Sequence, residues 1–251
     1  MFKIKKGRFE QYIKDEREFD QVMVNRASEG MVVRHGEAAS RIEGPELIRF
    51  MGTLKEYLDF VDKVDKRVRS EKLTELLARA EFVHRADFTS KAESEVPPKL
   101  IALHEQLSEL KDELQFKAIG EPVEDEEHHT WSLSFTDAQG ATRNIDWALA
   151  SSPEFKQMMA KFIQIKSYLE PPFLIEYASK TAVADAAAEE SEAAEGEAAA
   201  DSAPGAAEVQ AEAKQARRTA KLSREPVEKQ TSRELYAHIV ETGVDLAGVR
   251  R

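Results

Sequence analysis

The amino-acid sequence predicts an α+β protein in which small antiparallel hairpins accompany a mainly helical middle region. Apolar residues alternate with polar ones near the N-terminus and again near residue 131, as they do in half-buried strands. Between residues 43 and 114 they recur at intervals of three and four instead, which is typical of amphipathic helices. Neither kind of segment buries enough apolar surface alone, so hairpins and helices must share a core.

The N-terminal region predicts a hairpin followed by a helix and a strand. Apolar residues and lysines alternate over residues 2–6, Gly7 supplies a turn, and the chain returns over residues 9–13. Asp15 is predicted to cap a short helix because an acidic residue, Glu18, follows it three positions on. A strand is expected to follow this helix over residues 31–34.

Helices dominate the middle of the chain. A long amphipathic helix is predicted from Glu43 to Arg69, a shorter one over residues 71–82, and a third after Pro97-Pro98. A fourth helix is expected to open at Ser152-Pro153, because proline is well tolerated in the first turn.

A second hairpin and a closing helix complete the predicted elements. Residues 131–135 alternate, residues 137–140 form a turn, and residues 142–146 run back. Thr231 and Glu234 have the spacing of a capping box, and the helix that they open is predicted to end at Gly243.

The net charge of −11 is concentrated in one segment. Between residues 182 and 213 there are nine acidic residues, fifteen alanines and no Lys or Arg. Such a composition cannot offset its ordering entropy by burial, and it predicts a disordered acidic linker. Outside it, 36 basic residues face 38 acidic ones, so the acidic composition does not exclude a nucleic-acid partner.

Several classes of protein are excluded or disfavoured. No apolar run reaches the roughly 18 residues needed to span a bilayer, so no membrane association is expected. The absence of cysteine excludes disulfides, thiolate metal sites and cysteine nucleophiles, and it fits a cytoplasmic location. The chain also lacks the Gly-rich phosphate loops, the nucleophile elbow and the zincin motif.

Two polar clusters are the candidates for chemistry. The run from Glu124 to His129 has metal-ligand residue types, but we expect a solvated loop, since adjacent residues of an extended chain point in opposite directions. We predict no catalytic residue and no metal site. The basic cluster consists of four residues on the first hairpin, which either contact DNA phosphates or form a solvated, lysine-protected edge: Lys3, Lys5, Lys6 and Arg8.

The order of these pieces resembles a known family. Residues 3–16 are similar to the K-x-K-K-G-x-x-x-x-Y-x-K-D-[DE] stretch of the bacterial DNA gyrase protein GyrB, a type IIA topoisomerase, where this stretch lies in the TOPRIM domain. The middle of the chain resembles the large insert that some members carry within TOPRIM, and the closing helix resembles the one that returns to it. The segments that carry this weaker, collinear resemblance are residues 43–69, 72–77, 133–146, 152–155 and 231–242.

The resemblance implies a domain organisation. Partial TOPRIM elements would flank a mainly helical insert with a small antiparallel hairpin, and the acidic Ala/Glu linker lies outside the family pattern. The expected segments are a partial TOPRIM segment (1–36), the insert (37–180), an acidic then basic linker (181–224), a return helix (225–243) and a divergent tail (244–251).

The resemblance also implies a function. The family supercoils DNA with ATP and Mg²⁺, and GyrB assembles with GyrA, the gyrase protein that carries the DNA-cleaving tyrosine. The family's ATPase site and acidic metal motifs are missing from the sequence, so we expect a fragment that is inactive alone and needs no cofactor itself. Its expected partners are DNA, GyrA and the remainder of GyrB. A non-catalytic helical adaptor and a nonspecific DNA-binding module are the alternatives.

Overall fold

The computed structural model describes residues 2–6, 9–90, 95–177 and 225–247. Within these ranges, residues 2–6 and 9–11 are described by their backbone alone. The chain forms two compact units. Unit 1 contains residues 1–52 and 168–251, and unit 2 contains residues 53–167. No helix in the described ranges has the length and apolar character that crossing a membrane requires.

The described elements combine helices with short strands in antiparallel sheets, which confirms the α+β prediction. The strands are β1 (Phe2–Lys6), β2 (Phe9–Ile13), β3 (Met31–His35), β4 (Ser40–Glu43), β5 (Ala118–Ile119), β6 (Val123–Asp125), β7 (Thr130–Thr136), β8 (Thr142–Ile145), β9 (Phe173–Tyr177) and β10 (Val227–Lys229). The α-helices are α1 (Glu16–Ser28), α2 (Gly44–Val68), α3 (Glu71–Arg79), α4 (Pro98–Glu109), α5 (Trp147–Ala150), α6 (Pro153–Ile165) and α7 (Ser232–Ala247).

The described residues of unit 1 form two antiparallel sheets. Strands β1 and β2 form a hairpin, and a separate four-stranded sheet has the order β10-β9-β3-β4. In this second sheet Val33 pairs with Ile175 on one side and Ile42 on the other, and all three side chains are buried. This sheet joins the two halves of the unit across a large sequence separation, because β3 and β4 come from the first half and β9 and β10 from the second.

Helix α2 confirms the long amphipathic helix within one residue at each end. Phe50 and Tyr57 are buried together with all seven residues of the predicted apolar stripe, which are Leu47, Met51, Leu54, Leu58, Val61, Val64 and Val68. The capping predictions are also confirmed. The Asp15 side chain accepts a hydrogen bond from Glu18 N at 2.8 Å, and Thr231 Oγ1 accepts one from Glu234 N at 3.2 Å.

Unit 2 packs helices against the predicted hairpin. Strand β7 pairs with β5, β6 and β8, all antiparallel. Phe135 of β7 is buried against Phe116, with ring centroids 4.6 Å apart, and Phe88 is buried between Phe82 and Trp147. These aromatic contacts give the unit a core that neither the helices nor the hairpin could form separately.

The sequence prediction of the closing helix was wrong at its C-terminal end. A glycine often follows the last turn of a helix, but α7 continues past Gly243 to Ala247. Gly243 is buried, and a Cβ built on it would lie within 2.9 Å of three backbone atoms of Met23 in α1. Glycine is therefore required there because α1 and α7 approach closely, not because the helix ends.

Some sequence predictions fall on parts of the chain that the structure does not describe. The acidic linker predicted over 181–224 and the final residues of the tail, 248–251, lie outside the described residues. The five-segment domain organisation stays a prediction. Val244, the first residue of the predicted tail, belongs to α7 and packs with Ile13 and Met23.

Candidate nucleic-acid interface

The basic cluster lies on the first strand of the N-terminal hairpin. In the antiparallel pairing, Lys3 is opposite Tyr12, Lys5 is opposite Glu10, and Lys6 is opposite Phe9 at the end of the ladder. Arg8 lies between the strands and outside the described residues. The structure therefore places three of the four predicted positions within four residues of one strand.

The pairing register divides these positions between two faces. Cross-strand partners share a face of an antiparallel hairpin, and successive residues alternate between faces. Tyr12 is 56% exposed whereas Ile13 is fully buried. The positions of Lys3 and Lys5 therefore belong to the solvent face with Tyr12, whereas the position of Lys6 belongs to the face of Ile13. The sequence prediction treated all these cations as one group.

Helices α1 and α7 support the hairpin. Ile13 and Met23 are fully buried, and Phe19 and Val240 pack against them. The two helices are also joined by the Tyr236 hydroxyl, which donates to Asp20 Oδ2 at 3.0 Å. The end of β2, at Ile13, is therefore anchored on α1 and α7.

The local charge is mixed. Glu10, an acidic residue, is the register partner of Lys5. Lys14 continues the chain beyond β2 as an exposed cation, and its backbone N–H donates to Glu18 Oε2 at 2.7 Å. Acidic and basic residues are therefore mixed in this part of the chain.

Tyr12 is the residue that the sequence prediction missed. It is a large exposed aromatic side chain, and its register partner is Lys3. An aromatic ring beside a cation is a recurrent arrangement in proteins that stack on bases while holding the backbone. The exposure of Tyr12 could have been predicted from the sequence. Adjacent residues of a strand point to opposite faces, and the apolar Ile13 is the one expected to be buried.

The second polar cluster forms a turn. Asp125 ends β6, and its carboxylate accepts hydrogen bonds from the backbone N–H groups of Glu127 and His128 at 3.1 and 3.2 Å. His128 Nδ1 lies 2.8 Å from Asp125 Oδ2, and this hydrogen bond is the main cause that lowers the pKa of Asp125. The Arg85 guanidinium donates to His128 O at 2.9 Å. Within the described ranges no group of three or more His, Asp or Glu could hold a metal ion.

Comparison with known protein families points to the same part of the chain. Residues 1–27 match the family model described as GyrB, hook. This match indicates a GyrB-related protein, and it covers the hairpin and nearly all of α1. No curated protein matches the chain. The basic strand, the buried pair Ile13 and Met23, and the exposed Tyr12 all lie within the matched residues.

Proposed function

We propose that this chain acts as part of the GyrB protein of a DNA gyrase, where it contributes the TOPRIM insert that supports DNA binding and coupling in ATP-dependent supercoiling. The observation that carries the proposal is the match of residues 1–27 to the GyrB hook family. DNA, GyrA and the remainder of GyrB are the partners that this role requires.

The proposal assigns the chemical steps of DNA supercoiling to other parts of the gyrase. Mg²⁺ and ATP belong to the intact family enzyme, and Mg²⁺ prefers several carboxylate or carbonyl oxygens around one point. The described residues contain no group of three or more acidic or histidine side chains placed in that way. In the proposal the residues of this chain bind and position, as the family resemblance implies.

The DNA contact is proposed for the hairpin. Lys3 and Lys5 hold solvent-face positions beside exposed Tyr12, and Lys6 and Arg8 extend the cationic run toward the turn. Each lysine or arginine that neutralises a phosphate releases a condensed counterion, which makes binding salt-dependent. Tyr12 would add stacking or sugar contacts that depend less on salt.

Neutralising the hairpin tests this function. The variant K3Q/K5Q/K6Q/R8Q should bind duplex DNA more weakly than the unmodified chain, and the slope of log affinity against log salt should fall by about one for each phosphate contact removed. Fluorescence anisotropy of a labelled duplex across a salt series measures both quantities.

A matched variant controls for total charge. K63Q/K66Q/K117Q/K156Q removes the same four charges from exposed positions of unit 2, and it should leave most of the affinity and slope in place. Equal losses in both variants would assign binding to the overall charge of the chain rather than to the hairpin. No DNA binding in any variant, together with tight binding of a protein other than GyrA, would support the helical adaptor instead.

A further inference from the structure

His35 is a buried titratable side chain that the DNA-binding role does not use. It is the last residue of β3, it is 6% exposed, and its Nδ1 atom has no hydrogen-bond partner among the described residues. The imidazole meets the ring of Tyr168 edge-on, with centroids 5.6 Å apart and an interplanar angle of 74°. A neutral imidazole suits this site, since a buried positive charge without a hydrogen-bond partner is costly.

Tyr168 connects His35 to the beginning of α2. Its ring also contacts Phe50, with centroids 5.4 Å apart, and its hydroxyl donates to Glu46 Oε1 at 2.8 Å. This hydrogen bond and the charge of Glu46 raise the pKa of the Tyr168 hydroxyl, and the smaller influence of Arg49 opposes them. Tyr168 therefore stays neutral throughout the range in which a histidine titrates.

The chain continues from Tyr168 into a segment that lies against the end of β3. The backbone N–H of Gly36 donates to Glu170 O at 2.8 Å. Gly36 has a positive φ of 69°, and a Cβ built on it would lie 3.1 Å from Glu170 Oε2. We call residues 168–172 the return segment, because the chain re-enters unit 1 there after unit 2.

The contacts of the return segment described above lie within unit 1. The chain leaves this unit along α2, after Gly52, and re-enters it at Tyr168. Glu46 and Phe50 belong to the outgoing stretch, and Tyr168 joins both of them to His35 of β3. One ring thus ties the outgoing and returning stretches of chain to the four-stranded sheet.

We propose that His35 is a proton-sensitive latch, which holds the return segment on unit 1 while the imidazole is neutral and releases it when the imidazole gains a proton. A charged imidazolium can be solvated again when the Tyr168 ring moves away. Neutral His35 can stay buried beneath that ring without such solvation. The latch would thereby make the return segment more mobile under mildly acidic conditions.

The direction of the pH effect follows from the charges around His35. Burial is the largest influence and lowers the pKa of His35, whereas the carboxylates of Glu170 and Glu46 raise it by a smaller amount. The closed latch therefore binds a proton less readily than the released one. Its stability is fully present above the ordinary histidine pKa of about 6.5 and is lost progressively as the pH falls through that value toward the lowered one.

The full chain provides the test. Two readouts are combined: the NMR titration of the His35 imidazole, and hydrogen exchange of the backbone amides of Gly36, Leu169, Glu170 and Phe173, corrected for the intrinsic effect of pH. Pro171 and Pro172 have no amide hydrogen. We expect His35 to titrate below about 6.5 and the corrected exchange to rise severalfold between about pH 7.5 and pH 5. The variant H35F keeps an aromatic ring but cannot be protonated, and it should abolish this rise.

Controls keep the test decisive. H84Q removes an exposed histidine of unit 2 and should retain the rise. H35Q serves as a second non-titrating variant in case H35F folds poorly. Titration of His35 at or above about 6.5 would overturn the proposal, and so would an equal pH-dependent rise in H35F and H35Q. DNA affinity does not enter these readouts, so they are independent of the gyrase role.

Discussion

Replacing Gly243 with alanine will destabilise unit 1 by about 2 kcal/mol, although alanine favours helix by about 1 kcal/mol over glycine. A Cβ at this position would lie within 2.9 Å of the carbonyl oxygen, carbonyl carbon and Cα of Met23. These are backbone atoms of α1, which cannot rotate aside as a flexible side chain can. The two helices must separate, and Ile13, Met23 and Val244 lose part of their packing.

Gly52 provides a matched control for Gly243. It also lies inside a helix of unit 1, it is exposed, and a Cβ built on it would meet nothing within 4 Å. Gly52→Ala should therefore stabilise the protein by about 0.5–1 kcal/mol. Urea unfolding followed by far-UV circular dichroism compares the two variants. Equal effects of the two substitutions would contradict the close approach of α1 and α7.

Replacing Phe88 with alanine is expected to destabilise unit 2 by about 3–5 kcal/mol, as for other fully buried aromatic residues. Phe88 is completely buried on a short 3₁₀ turn, and its ring centroid lies 5.3 Å from that of Phe82 and 6.1 Å from that of Trp147. Its removal would leave a cavity between the turn after α3 and the beginning of α5. Little of this cavity can close, because both neighbouring rings are held by other elements.

The tryptophans make this effect measurable. Both tryptophans of the chain, Trp131 and Trp147, lie in unit 2, so fluorescence-detected urea unfolding reports on that unit. Phe88→Leu should lose less than Phe88→Ala because it keeps most of the apolar volume. Ile163→Ala, at a position that is 51% exposed, should change the unfolding free energy by less than about 0.5 kcal/mol. An effect of Phe88→Ala as small as that would contradict the packing described for this core.

Local patterns in the sequence were sufficient for α1, α2 and the β1–β2 and β7–β8 hairpins, but they missed β4, although it pairs locally with β3. The apolar stripe of α2, the Asp15 cap and the Thr231–Glu234 capping box each depend on residues within one or two turns. The strands β9 and β10 were missed because their partners are distant in sequence. Phe173–Tyr177 pairs with Met31–His35, and nothing near either segment reveals that pairing.

The candidate interface was predictable in composition but not in geometry. The lysines of β1 identify a basic strand from sequence alone, whereas their division between two faces depends on the register opposite Tyr12 and Ile13. For Gly243 the sequence pattern was clear but had two explanations. A glycine near the end of a helical pattern indicates a C-cap or a close helix contact equally well, and only the position of Met23 distinguishes them.

Hydrogen exchange of the full chain, with and without a short DNA duplex, tests the proposed DNA-binding surface most directly. We predict that DNA slows exchange in β1 and β2, residues 2–13, because phosphate contacts on the basic strand would restrain the opening of the hairpin. The K3Q/K5Q/K6Q/R8Q variant should not show this slowing at the same DNA concentration. Slowing confined to unit 2, with exchange of residues 2–13 unchanged by DNA, would contradict the assignment of the hairpin as the DNA contact.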